Sequence, residues 1–188
     1  MELPLWSWLI EPLAIDFANS TRRRGMVDQE YFRTGADVAS WCEHEGDAVP
    51  SVSAASAAPR LAEIRAVRDD VKAVLRATVD GVPLPARATA RLNARARELP
   101  VVGQLGGRAG ELRTVPARRA GAVDELLARV AAATIELVGS CAPVQFCDAP
   151  SCGQFYVPDR PNQVWCDPSC GTRARVARHA AAHSARRG

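Results

Sequence analysis

Lysine is almost absent from this chain, because Lys72 is the single lysine among 24 lysine and arginine residues. This bias reflects in part the composition of a GC-rich genome, so the number of arginines alone does not indicate a nucleic-acid-binding protein. Their distribution is more informative. Residues 159–188 carry six arginines and two aspartates, a net charge of +4, whereas residues 1–158 sum to −1. The basic character therefore belongs to the C-terminal part of the chain.

The chain also lacks a long apolar run. No uninterrupted apolar stretch approaches the roughly 20 residues that a helix needs to span a bilayer. The N-terminal segment has no basic region before it reaches Glu11 and Pro12, so it does not match a signal peptide. We therefore expect a cytoplasmic protein that does not contact a membrane.

Catalytic motifs are missing as well. The sequence contains no Ser/His/Asp set, no phosphate-binding glycine loop and no H-E-x-x-H motif, and His44 is isolated between two glutamates. We expect the chain not to be an enzyme. Asp16 and Asn19 are the N-terminal polar pair that stands out. Hydrogen bonding at a helix end explains them, and contact with a ligand is the alternative.

Four of the six cysteines lie near the C-terminus in two pairs. Cys147 and Cys152 form a C-x4-C pair, Cys166 and Cys170 form a C-x3-C pair, and thirteen residues separate the pairs. Two thiolates from each pair suit a tetrahedral zinc ion, and four thiolates leave no open position for water or substrate. The spacing predicts one structural Zn²⁺, and the alternative is a set of buried thiols or disulfides.

The remaining two cysteines, Cys42 and Cys141, fall outside this spacing. We expect both of them to be ordinary buried residues. In a reducing cytosol, clustered cysteines favour metal binding over disulfide formation.

The cysteine module spans only about 45 residues, which is too short to bury a self-sufficient core. Zinc binding must therefore supply much of its folding free energy, on the order of 10 kcal/mol. Phe155, Tyr156 and Trp165 are expected to pack as a small aromatic lining around the metal.

The periodicity of apolar residues predicts an α+β fold that is mainly helical. An N-terminal helical domain with a β-hairpin is predicted for residues 1–140, and a small treble-clef-like or ribbon-like zinc finger that ends in a basic helix for residues 141–188. Residues 46–59 are predicted to be a connector. The hairpin is predicted for residues 101–115, and a further helix begins after the capping residue Thr34. The other predicted helices are a short one at 13–19, which the arginines at 22–24 are expected to end, and 61–79, 85–99 and 122–138.

The second cysteine pair is followed by a helix start. Asp167 can cap the helix and Pro168 suits its first position, so Cys170 should lie in the first turn, where the positive helix end favours a thiolate. Further along, Arg175, Arg178 and Arg186 recur on one face of this helix. Such a row can contact phosphates, and the alternative is a solvated basic tail.

Two groups of motifs resemble a known bacterial family, the ABATE domain followed by a CGNR-type zinc finger, which comprises stress-induced transcription regulators. The motifs are Leu13-Ala14-Ile15-Asp16-Phe17-Ala18-Asn19-Ser20, Cys147-x4-Cys152-Gly153-x-Phe155 and Trp165-Cys166-x3-Cys170-Gly171-Thr172-Arg173. The resemblance implies that the four cysteines bind zinc, that the finger contacts DNA, and that the larger domain senses a small-molecule effector or a protein partner.

The sequence departs from the family pattern at two places. Thr172 stands where the motif has asparagine, and residues 157–164 are poorer in arginine than the usual linking loop. Neither change alters a predicted metal ligand.

Together these features predict a zinc-finger transcriptional regulator that binds double-stranded DNA and carries an N-terminal sensory domain, in which Asp16 and Asn19 are the candidate ligand contacts. A single short basic helix buries about 600–1,000 Å², so specific binding favours a homodimer or a partner factor. The rival hypothesis is a zinc-dependent protein-interaction or redox-sensing module without direct DNA binding. The predicted DNA-contacting residues are Arg173, Arg175, Arg178, Arg186 and Arg187.

Overall fold

The computed structural model describes residues 10–24 and 27–185, which form helices and three antiparallel two-stranded hairpins. The helices are α1 Leu13–Ala18, α2 Gly35–Glu45, α3 Ala54–Ala57, α4 Leu61–Asp80, α5 Ala86–Glu98, α6 Ala122–Gly139 and α7 Pro168–Ala185. The strands are β1 Thr21–Arg24, β2 Val27–Glu30, β3 Val101–Leu105, β4 Leu112–Pro116, β5 Gln145–Phe146 and β6 Phe155–Tyr156. The predicted fold class, α+β and mainly helical, is confirmed.

The long helices follow the sequence pattern closely. α4, α5 and α6 agree with the predicted ranges to within one residue at each end. α4 buries Ile64, Val71 and Leu75 against the core and ends at Gly81, which adopts a left-handed conformation. Within the part of the chain that the structure describes, no helix combines the length and the apolarity needed to cross a bilayer.

α2 begins with the capping box predicted at Thr34. The backbone N–H of Thr34 donates to Asp37 Oδ2 at 2.7 Å, and the Asp37 N–H donates to Thr34 Oγ1 at 3.2 Å. Both bonds satisfy backbone donors that the first turn would otherwise leave unpaired.

The centre of the N-terminal domain is an aromatic cluster around α1. The rings of Phe17, Phe32 and Trp41 lie with their centroids 5.4 to 5.7 Å apart in tilted and edge-on arrangements. α1 packs against α4 and α6, and nearly all of its residues are buried. This short helix is therefore a core element, and the residues that follow it are held in fixed positions.

Two local features differ from the sequence predictions. The arginines at residues 22–24 form strand β1 of a hairpin, which the sequence did not predict because the strands have no apolar alternation. A partly buried ion pair between Arg68 and Glu30, with an N–O distance of 2.6 Å, attaches this hairpin to α4. The predicted connector contains α3, whose backbone packs so closely on α2 that a Cβ atom at Gly35 would collide with the carbonyl oxygen of Ala54.

Candidate metal centre and nucleic-acid interface

The four clustered cysteines converge on one point. Their sulfur atoms all lie within 4.8 Å of one another, and Cys166 Sγ is 3.5 Å from both Cys152 Sγ and Cys170 Sγ. Zinc–sulfur bonds of about 2.3 Å in a tetrahedron require sulfur–sulfur distances of roughly 3.8 Å. The sulfur positions therefore fit a single tetrahedral ion, and the four residues form a zinc-binding site.

The first cysteine pair is shaped by the turn of the β5–β6 hairpin. The Cys147 N–H donates to Gln154 O at 2.8 Å, and the Gly153 N–H donates to Cys147 O at 3.1 Å. Gly153 has φ +71°, a conformation that favours glycine, and a Cβ atom there would also press on Arg23. The turn therefore folds back on itself and points both sulfurs inward.

The second pair is positioned by the start of α7. Asp167 Oδ1 accepts from the Ser169 N–H at 2.8 Å, and Pro168 is the first residue of the helix, as the sequence predicted. Cys170 therefore lies in the first turn with its sulfur at the positive helix end. Gly171 follows it, and a Cβ atom there would come within 3.0 Å of the Trp165 ring, so glycine lets this ring pack beside the metal centre.

The four cysteine residues differ in their exposure and in their neighbours. Cys147, Cys152 and Cys170 are buried, whereas Cys166 is half-buried. Hydrogen bonds from the thiols of Cys152 and Cys166 lower the pKa of Cys147, which favours a thiolate in the cluster. Cys166 is therefore the ligand most accessible to small reagents.

Arg173 faces the metal centre. Its Nη2 donates to Cys170 Sγ at 2.9 Å, its Nε to Pro150 O at 3.1 Å and its Nη1 to Ser169 Oγ at 3.2 Å. The guanidinium thus joins the two cysteine loops and partly offsets the negative charge of four thiolates. This contact was not visible in the sequence, and the predicted contact between Arg173 and DNA stays a prediction.

The other predicted DNA-contacting arginines lie further along α7. Every described residue from 175 to 183 is exposed, including Arg175 and Arg178. The helix therefore leaves the body of the finger after its second turn. Arg186 and Arg187 lie outside the described residues.

A groove of about 580 Å³ separates the start of α7 from the preceding loop. Arg160 and Arg175 line it together with Asn162 and Thr172. Arg160 was not among the predicted contacts, although the charge of the C-terminal segment was a signal for it. Asp159 and Asp167 also line the groove, so two carboxylates face its two arginines.

The N-terminal domain is attached to the finger by hydrogen bonds to the backbone of the finger. Asn19 Nδ2 donates to Phe155 O and Asn19 Oδ1 accepts from the Phe155 N–H, both at 2.9 Å. Glu11 Oε2 accepts from the Val157 N–H at 2.8 Å, and the Arg23 N–H donates to Cys152 O at 3.0 Å. Three successive segments of the N-terminal domain therefore hold one edge of the finger.

The predicted aromatic lining of the metal is only partly correct. Tyr156 and Trp165 pack against the cysteines, but Phe155 belongs to the core of the N-terminal domain, where its ring centroid is 5.1 Å from that of Phe146. Neighbouring residues on a strand face opposite sides. The Tyr156 side chain therefore points toward the metal centre, and the Phe155 side chain points toward the larger domain.

Asp16 and Asn19 occupy different environments. Asn19 uses both amide atoms for the finger, whereas Asp16 Oδ2 accepts from the Glu11 N–H at 3.1 Å. Burial raises the pKa of Asp16 to about 8, with a further contribution from the charges of Glu45 and Glu11. Their predicted ligand contact stays a prediction.

Raising the pH from about 6 to about 9 is expected to destabilise the N-terminal domain. The unfolded Asp16 loses its proton near pH 4, about 3.9 in model peptides, whereas the folded residue has a pKa of about 8. Between these values the folded state holds more protons, so the free energy of unfolding falls as the pH rises and levels off above the folded pKa. Thermal unfolding followed by circular dichroism measures the slope.

The variant Asp16→Asn removes this titration and should reduce the pH dependence, while Glu11 and Glu45, whose pKa values burial raises to about 7, retain part of it. The exposed Asp47→Asn is the matched control and should retain the slope of the parent protein. A slope that is identical in all three proteins contradicts the assignment to Asp16.

The two remaining cysteines behave differently from each other. Cys42 is buried as expected, and burial raises its pKa to about 12, so it is an inert thiol. Cys141 is exposed, so the expectation of a buried residue was wrong. It follows the end of α6 with φ +55°, a turn that directs it away from the core.

These features define a class of protein, namely a four-cysteine zinc finger mounted on a helical domain. Residues 11–140 match the ABATE family, described as "Putative stress-induced transcription regulator", and residues 144–187 match the CGNR zinc finger. Because the first match covers more than half of the chain, the protein belongs to the ABATE family. The resemblance found in the sequence motifs is confirmed. A search of curated proteins found no match to the chain.

Proposed function

We propose that this protein is a cytoplasmic transcription regulator, without enzymatic activity, whose zinc finger binds duplex DNA and whose N-terminal domain responds to a signal. The observation that carries the proposal is the exposed basic part of α7, which is anchored at its base by the metal centre. The sequence after Asp167 contains five arginines and no acidic residue. A helix presented in this way suits the DNA backbone or the major groove.

The dimensions of α7 support the proposal. Its 18 residues correspond to a length of roughly 27 Å. The metal and Arg173 fix the first two turns, so the exposed residues keep one direction relative to the finger. A fixed helix loses less conformational freedom on binding than a flexible basic tail would lose.

Arg175 connects the helix with the groove. It lines the groove together with Arg160, and its Nη2 donates to Thr172 Oγ1 at 3.1 Å. This bond is exposed to solvent, so it can be exchanged for a phosphate contact at small cost. We therefore include Arg160, Arg175 and Arg178 in the proposed DNA-binding surface.

Replacing Arg175 and Arg178 together by alanine is expected to weaken DNA binding and its salt dependence. Each lost phosphate contact removes about 0.9 from the slope of log K against log salt concentration, so the slope should fall by roughly 2. Fluorescence anisotropy of a labelled duplex at several salt concentrations measures both quantities.

The matched control is the pair Arg87→Ala and Arg97→Ala on α5, which lie on an exposed surface and change the net charge equally. This control should keep the parental slope. Equal slopes in the two double variants would show that the overall charge, rather than the surface of α7, determines binding.

The half-buried position of Cys166 favours a second candidate, a redox-sensing or protein-interaction module. A peroxide can oxidise two thiolates to a disulfide while it is reduced to water, and this reaction releases zinc. The same anisotropy measurement separates the candidates. Reduced, zinc-loaded protein that binds no duplex, but loses zinc to mild peroxide, favours the second candidate over the first.

A homodimer remains part of the proposal, because one short helix buries too little surface for specific recognition. A small-molecule effector or a protein partner at the N-terminal domain is the proposed source of the signal.

A further inference from the structure

A second cleft lies between the finger and the N-terminal domain, on the opposite side of the β5–β6 hairpin from Tyr156. It has a volume of about 500 Å³, within the range of small-molecule sites. Arg23, Lys72 and Arg76 contribute three cationic side chains, and Phe146 and Phe155 contribute aromatic surface. We propose that this cleft binds a small aromatic or aliphatic monocarboxylate, with the carboxylate at Lys72 and the apolar part at Phe146.

Lys72, the only lysine in the chain, supplies the hydrogen-bond donor for the anion. Its Nζ donates to Thr21 Oγ1 at 2.7 Å, and the nearest carboxylate oxygen of Asp28 is 3.7 Å away, beyond hydrogen-bond distance. An ammonium group has three donors, so the bond to Thr21 leaves capacity for a ligand. Burial lowers the pKa of Lys72, which is the effect expected of a cation in a partly desolvated cleft.

The charge balance of the cleft favours a single negative charge. Asp28 forms ion pairs with both Lys72 and Arg23, and the Arg23 Nε atom lies 3.8 Å from Asp28 Oδ1. Asp148 is the second acidic lining residue, so three lining cations face two lining carboxylates, and Arg76 also pairs with Asp80 outside the cleft. The excess positive charge of the cleft is therefore at most one, which suits a monoanion and not a dianion.

The aromatic surface explains why the ligand should carry an apolar group. The guanidinium carbon of Arg76 lies 4.7 Å from the centroid of the Phe146 ring, and Arg76 Nε donates to Asp80 at 2.9 Å. The Phe146 ring packs edge-on against Phe155. This aromatic surface can pack against a ring or an alkyl chain, and Arg76, the cation beside it, is already paired with Asp80.

The cleft lies at the junction between the finger and the N-terminal domain. Gly153 and Phe155 belong to the finger, whereas Lys72 and Arg76 belong to α4, so a bound carboxylate touches both halves of the protein. Such a ligand would stabilise one position of the finger relative to the N-terminal domain. This regulatory role rests on the proposed function, but the binding itself does not.

The single lysine provides a selective reporter for the test. The zinc-loaded full chain is labelled with lysine carrying ¹³C at Cε, which gives one methylene signal, and is titrated with sodium benzoate at constant ionic strength. Benzyl alcohol, sodium chloride and inorganic phosphate are the comparison ligands. A saturable shift with benzoate, and none with benzyl alcohol or chloride, is expected.

The variants test the assigned contacts while the reporter stays in place. Arg76→Gln should weaken benzoate binding about fivefold, because it removes one cation from the cleft. Arg87→Gln on the exposed surface of α5 should have no effect. Equal affinities in the two variants, a shift that does not saturate, or saturation with phosphate instead of benzoate would each overturn the proposal.

DNA binding of the same sample separates this proposal from the preceding one. Saturable benzoate binding in a protein that binds no duplex supports the cleft and contradicts the proposed function. DNA binding without benzoate binding contradicts the cleft and leaves the proposed function intact.

Discussion

Removing zinc from the intact protein is expected to unfold the finger and also to lower the melting temperature of the N-terminal domain. The metal supplies on the order of 10 kcal/mol to the finger. Phe155 from the finger is buried in the core of the larger domain, and burial of one such side chain contributes roughly 1.5–3 kcal/mol. A loss of about 2–3 kcal/mol corresponds to a decrease of roughly 10 °C for a domain of this size.

Differential scanning calorimetry of the protein before and after treatment with a chelator measures both transitions, and added zinc should restore them. Cys147→Ser should reproduce the effect of the chelator, whereas Cys141→Ser, at an exposed position outside the cluster, should bind zinc normally. A stripped protein whose N-terminal domain melts at the original temperature would show that the two halves are energetically independent.

Asn19→Ala is expected to be the most damaging single substitution at the junction. It removes both partners of the Phe155 backbone, and these partners are buried. Each unsatisfied backbone group costs about 1–3 kcal/mol, so the total loss should be roughly 2–6 kcal/mol. Urea unfolding of the zinc-loaded protein gives the free energy directly.

Limited proteolysis adds a local measurement, because the variant should be cut in the finger faster than the parent protein. The control is Asn93→Ala on α5, which makes the same type of substitution at a half-buried position away from the junction. If both variants lose the same stability, the two bonds to Phe155 do not hold the finger in place.

The sequence predicted those parts of the fold whose causes are local. The long helices α4 and α6 repeat their apolar residues at helical intervals over many turns. The metal ligands were predicted for a similar reason, since the paired spacing of the cysteines and the cap at Asp167 lie within a few residues of one another.

Features that depend on distant residues were not predictable in this way. Asn19 and Phe155 are 136 positions apart, and nothing in either neighbourhood indicates that they pair. Strand β1 consists of a threonine and three arginines, and its partner strand β2 is attached to α4 by the ion pair between Glu30 and Arg68. The inward direction of Arg173 likewise depends on Pro150 in the other cysteine loop.

Because α7 is anchored at one end, a small tilt at its base produces a larger displacement at its far end. A tilt of about 5° at its base moves the far end of a helix of roughly 27 Å by about 2 Å. Hydrogen bonds tolerate only a few tenths of an ångström, so this displacement would break a set of phosphate contacts. If the finger binds DNA as proposed, a rearrangement too small to alter the core beneath it would therefore suffice to engage or release a duplex.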